Sequence, residues 1–95
     1  MAFKPGTKVI WLDTPADSQT PQVFEGVVKS ASRDEAKLEG EEFPRYAAFL
    51  MVDTEEARGY CAGKVELIVR HRREADEMQA ALYELMNEQT RQGLR

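Results

Sequence analysis

The stretch from Ala47 to Val69 constrains the fold most, because it begins with the densest apolar run of the chain and ends with a second apolar run. The run Ala47–Val52 carries apolar side chains on both faces of an extended strand. Val65–Val69 is rich in β-branched residues, which favour strands. The polar residues 53–57 between the runs indicate a turn. We therefore predict three strands here, over 45–53, 58–62 and 65–69.

Two further strands are predicted before this stretch. Residues 8–12 are β-branched and aromatic and are apolar on both faces, which suits a strand inside a closed or two-layered sheet. Residues 23–31 form the other strand and contain Gly26. A glycine inside a strand predicts a bulge, a sharp bend or a close backbone approach.

Two polar segments separate the predicted strands. Residues 13–22 hold two prolines and no large apolar side chain, which predicts a long loop. Residues 32–42 are mostly charged and predict a solvated loop, with one helical turn over 34–38 as the alternative. Long loops often carry function, so both loops are candidate contact sites.

The last part of the chain has the period of an amphipathic helix. From His71 to Gln92 good helix formers dominate, and apolar residues recur at steps of three and four. The stripe on this predicted helix consists of Ala75, Met78, Leu82, Leu85 and Gln89, widened by Ala81 and Met86. We therefore divide the chain into a β body, residues 1–69, and a helix, residues 70–95, which packs on the body or on a partner.

Charge and cysteine content narrow the class of protein. Residues 1–69 carry eight basic and twelve acidic side chains and so account for the whole net charge of −4. A single cysteine cannot form an intramolecular disulfide, and no apolar run approaches the ~18 residues of a membrane helix. The N-terminus lacks the hydrophobic stretch of a secretory signal. We expect a cytoplasmic protein that does not enter a membrane.

Two short motifs and the final strand resemble a known group of folds. Gly6-Thr7-Lys8-Val9 and Glu25-Gly26-Val27-Val28 look like the opening of SH3-like small barrels, which include Tudor-type and KOW-type modules. Lys64–Ile68 resembles the closing strand of such barrels. The resemblance implies an α+β protein, a five-stranded SH3-like barrel followed by one C-terminal helix. Such barrels serve many functions, so the resemblance implies no single one.

No set of residues predicts catalysis, a cofactor or a metal. Cys61 is the only thiol and is expected to pack in the core, as free cysteines usually do. His71 is the only histidine, and one histidine with one cysteine cannot form a closed zinc site. We therefore expect a protein that is not an enzyme.

Three sets of residues are candidates for binding a partner. The helix stripe predicts a protein contact, since methionine and leucine at helical spacing suit an adaptable interface. Its central residues are Met78, Leu82, Leu85 and Met86. A basic cluster, the candidate nucleic-acid contact, consists of Lys64, Arg70, Arg72 and Arg73. A candidate aromatic ligand site consists of Phe43, Tyr46 and Tyr60, because aromatic cages bind methylated cations in Tudor-like barrels.

The expected function is that of an interaction module or adaptor that acts through its loops and its C-terminal helix. Its partner is another protein or a second copy of the chain. Two alternatives stay open. One is a nucleic-acid-associated protein that uses the cluster Arg70–Arg73, and the other is an acidic accessory protein of a phage or mobile element that blocks a basic partner.

Overall fold

The computed structural model describes residues 2–93, with the backbone alone for 91–93. The chain divides into two compact units, Met1–Val65 and Glu66–Arg95. The elements in chain order are β1 (Lys8–Asp13), β2 (Gln22–Ala31), β3 (Glu35–Leu38), β4 (Arg45–Tyr46), a 3₁₀ turn (Ala47–Phe49), β5 (Met51–Val52) and α1 (Glu55–Gly93). The protein is thus an α+β protein with a five-stranded antiparallel sheet and one C-terminal helix.

The sheet is curled into a half-barrel, with strand order β4-β3-β2-β1-β5. The long strand β2 pairs with β1 along its first part and with β3 along its second part. The register shifts between Val28 and Ser30, so an irregularity lies where β2 passes from one neighbour to the other. Such irregularities bend a strand and increase its twist, which accounts for the curl.

The core lies inside this curl. A cluster of buried side chains joins β1, β2, β3 and the segment before β5; its members are Val9, Trp11, Val28, Ala36, Leu38 and Leu50. Ile10 faces the other side of β1 and is also fully buried, so β1 is covered on both faces as its sequence predicted. Gly26 lies where a β-carbon would be 3.0 Å from Leu38 Cδ1 and 3.3 Å from Trp11 Cζ3. The predicted close approach at Gly26 is therefore confirmed.

The predictions for residues 8–12, 13–22 and 23–31 are confirmed, whereas the solvated loop over 32–42 is wrong in its middle. Strand β3 occupies Glu35–Leu38 and pairs with β2. Its alternation is short but clear: Ala36 and Leu38 are buried while the two residues beside them are exposed. Residues 32–42 contain only two apolar side chains, and charged residues alternate with them. The composition of the segment therefore indicated a loop rather than a strand.

The predicted single strand over 45–53 is also wrong, because three elements share that stretch. β4 and β5 lie on opposite edges of the sheet, and the 3₁₀ turn between them carries the chain across. The amide of Ala47 donates to the carbonyl of Asp34 over 2.9 Å, and the amide of Leu50 donates to the carbonyl of Ala47 over 3.0 Å. The apolar run therefore connects the two edge strands β4 and β5 and does not form a central strand.

The predicted strands over 58–62 and 65–69 are helical. α1 begins at Glu55, and Thr54 caps it, since the amide of Ala57 donates to Thr54 Oγ1 over 3.0 Å. Glu55 and Glu56 occupy the first turn, where carboxylates are favoured by the helix dipole. The polar residues that indicated a turn are therefore the start of a helix. Buried and half-buried side chains follow at helical spacing, at Ala57, Cys61, Val65 and Ile68.

Candidate interaction surfaces

The apolar stripe of α1 is exposed along its length. Met78 is 67% exposed and Leu82 is 55% exposed, and Leu85 and Met86 are exposed to a similar degree. Because these residues recur at steps of three and four, they lie along one face of the helix. The structure confirms that this segment is helical, and the partner of the stripe stays a prediction.

The stripe extends further toward the N-terminus than the sequence predicts. With residues 65–69 in a helix, steps of three and four continue backwards from Ala75 through His71 to Ile68. The full stripe consists of Ile68, His71, Ala75, Met78, Leu82, Leu85 and Gln89, and we call these seven residues the heptad stripe. They occupy alternating a and d positions of three heptads, the pattern of helices that pair. Ile68 was missed because its β-branched neighbours indicated a strand over 65–69. His71 begins the predicted helix but was not included in the stripe, although the spacing would have found both residues.

The basic cluster does not form a single face. Arg70, Arg72 and Arg73 are exposed on α1, and Arg72 lies about 160° around the helix from Arg70. Lys64 is engaged locally, because its Nζ donates to the hydroxyl of Tyr60 over 3.1 Å and lies 5.4 Å from the centre of that ring. Nucleic-acid contact through these residues stays a prediction.

The three predicted aromatic residues lie in three different parts of the chain. Tyr46 is in β4, Phe43 is in the segment before it, and Tyr60 is in α1. The ring of Tyr46 meets that of Phe49 edge to face at 6.2 Å. Phe49 is 71% exposed, and with Phe3 these two rings line an open groove. Sequence reasoning missed Phe49 because it was assigned to one face of a continuous strand.

Arg45 forms an ion pair with Glu41, in the segment that carries Phe43. Its Nε and Nη2 donate to the two carboxylate oxygens of Glu41 over 2.7 and 2.8 Å. The guanidinium also lies over the ring of Trp11, 4.3 Å from its centre. The hydrogen bond from Arg45 holds the pKa of Glu41 below its usual value, while partial burial acts in the opposite direction. These contacts hold residues 41–45 against the sheet of the unit Met1–Val65, which we call the sheet unit.

Arg58 joins the start of α1 to the sheet. Its Nε donates to Asp53 Oδ1 over 2.6 Å and its Nη2 donates to Glu25 Oε2 in β2 over 2.7 Å. The hydrogen bond to Asp53, followed by that to Glu25, raises the pKa of Arg58. The bond from Arg58 lowers the pKa of Asp53. The first turn of the helix is thus fixed by charge as well as by its cap.

The chain has one cysteine and one histidine. Cys61 has no exposed surface and forms no disulfide, which confirms the packing role predicted for it. Among residues 2–93, no group of three or more histidine, cysteine, aspartate or glutamate side chains could hold a metal ion. Over the same range, no helix has both the length and the apolar character that a membrane crossing needs.

Comparison with known proteins adds no assignment. No family model, curated protein or solved structure matches the chain.

Proposed function

We propose that this protein is a non-catalytic interaction module that associates with a second copy of itself through the heptad stripe. The observation that carries the proposal is the stripe: seven residues at a and d spacing on a continuous helix, with leucine and methionine side chains more than half exposed at its centre. Paired helices bury such a stripe between them, each side chain fitting among four of the facing helix.

The energetics of the helix support this partner. From Val69 to Thr90 every side chain is exposed. Helices gain most of their stability from packing an apolar face rather than from intrinsic propensity. The seven stripe residues span about 32 Å, which is three heptads, a length at which two identical helices can pair.

The strand arrangement of the sheet unit supports a second proposal, which concerns its fold family. We propose that it is an SH3-like small barrel. The support is the five-stranded antiparallel order together with the turn at Gly6, whose amide donates to the carbonyl of Val28 over 2.7 Å. In this proposal the groove at Tyr46 and Phe49 is the place on the sheet unit where a ligand would bind.

Light scattering over a concentration series tests self-association. We expect the parent chain to form a dimer and Leu82→Glu to be a monomer, because the substitution places a carboxylate in the stripe. Ala80→Glu is the matched control: it adds the same side chain about 160° around the helix from Leu82 and should leave the dimer intact. A parent chain that is monomeric at every concentration would refute the proposal.

A further inference from the structure

Two backbone turns line the open groove of the sheet unit. One is the hairpin turn between β2 and β3, which is closed where the amide of Ser32 donates to the carbonyl of Glu35 over 2.8 Å. The other is the 3₁₀ turn that follows β4. Its Ala47 amide donates to the carbonyl of Asp34 over 2.9 Å, so a backbone hydrogen bond holds the two turns together. The groove is therefore formed before a ligand binds.

Aromatic rings supply the apolar part of this groove. Tyr46 and Phe49 are both largely exposed and meet edge to face, and Phe3 contributes a third ring. The groove has a volume of about 940 Å³, which is within the range of ligand sites and exceeds what one side chain fills. It can therefore accommodate several residues of an extended peptide.

The rest of the lining is charged. Arg33, Asp34 and Glu35 are exposed and lie along the groove. Within residues 2–90 none of these three side chains forms an ion pair. Two carboxylates against one guanidinium leave the lining with a net negative charge. A ligand that complements this groove has a positive charge together with a flat face for the rings.

Resting on the proposal that this groove binds a ligand, we infer that the ligand is an arginine side chain on an extended peptide of a protein partner. A guanidinium is planar and always charged, and it stacks on aromatic rings. Its N–H groups form paired hydrogen bonds with a carboxylate, here that of Asp34 or Glu35.

Other ligands match the groove less completely. A quaternary ammonium group is attracted by the rings but donates no hydrogen bond to the carboxylates. A nucleic acid would bring phosphates to a lining that has two carboxylates and one arginine, so charge opposes its binding.

A chemical-shift titration of the isotopically labelled protein with capped pentapeptides tests the inference. The peptides consist of glycine and alanine with arginine, citrulline or trimethyl-lysine at the centre. Citrulline has the shape of arginine without its charge. We expect the arginine peptide to shift the amide signals of residues 33–35 and 46–49, and the citrulline peptide to bind about tenfold more weakly. The trimethyl-lysine peptide should also bind more weakly than the arginine peptide.

Matched variants test the two parts of the groove separately. Asp34→Asn combined with Glu35→Gln should remove the preference for arginine over citrulline. Glu39→Gln changes an exposed carboxylate outside the groove and should keep that preference. Phe49→Ala should weaken binding at least about threefold, whereas Phe43→Ala, which removes an equally exposed ring outside the groove, should not. The amide spectrum of each variant shows that the sheet is retained.

The outcomes separate failure of the inference from failure of the proposals on which it rests. Equal affinity for the citrulline peptide, or tighter binding of the trimethyl-lysine peptide, overturns the inference and leaves the groove as a ligand site. Shifts confined to other parts of the chain, or no shifts with any peptide, overturn the ligand role of the groove as well. Light scattering of the same variants reports on self-association, which changes in the groove should leave unaltered.

Discussion

Gly26 shows how one missing side chain shapes the sheet unit. Trp11 and Leu38 are both buried and both come within contact distance of where its β-carbon would be. Both neighbours belong to the packed core, so a β-carbon here would require each of them to shift by a few tenths of an ångström. The absence of a side chain at this position lets β2 pass directly under the largest ring of the core.

We expect Gly26→Ala to lower the free energy of unfolding by about 1–3 kcal/mol, the usual effect of overpacking a core. Urea denaturation measures it. The matched control is Gly63→Ala in α1, where a β-carbon would meet nothing within 4 Å. That variant should be unchanged or up to about 1 kcal/mol more stable, since alanine is the better helix former. Equal stabilities for the two variants would contradict the close approach at Gly26.

At the scale of elements, the start of α1 was the hardest part to predict. Thr54 with two following glutamates is a helix start, yet the same polar residues also suit a turn between strands. Gly59 and Gly63 lower helix propensity, and the β-branched residues after them favour strands. The ion pair of Arg58 with Glu25 joins residues 33 positions apart in the chain, so no local pattern could reveal it.

The Arg58 contacts predict how stability depends on pH. Because the hydrogen bond from Arg58 lowers the pKa of Asp53, the ionised carboxylate stabilises the folded state. This contribution is fully present above the pKa of an unfolded aspartate, about 4, and is lost as pH falls through the lower pKa of the folded state. Arg58→Met should therefore be less stable than the parent at neutral pH, and the difference should shrink below about pH 4.

Urea denaturation at a series of pH values measures this difference. Arg33→Met provides the control, as the same substitution in the exposed segment before β3. Its stability should follow the parent curve at every pH. A constant offset between Arg58→Met and the parent across the acid range would show that the carboxylate of Asp53 does not depend on Arg58.

At the scale of the whole molecule, the sequence predicted the class and the two ends of the chain better than its middle. β1 and β2 are rich in β-branched and aromatic residues and the helix after His71 has a clear apolar period, and each lies where expected. The middle of the chain is different, because its strands have two to four residues. Strands this short take their structure from neighbours on the sheet rather than from their own pattern. The exposed rings of Tyr46 and Phe49 come together because the 3₁₀ turn follows directly after β4.

The two edges of the sheet have a consequence for solubility. β4 and β5 expose the free sides of the sheet, and each has only two residues. An exposed strand invites another chain to add to it when it is long, flat and apolar. Edges this short, one of them carrying the charged Arg45, offer little template for fibre-like growth. The protein can therefore carry exposed aromatic rings beside its sheet and still keep the assembly we propose confined to a closed pair of helices.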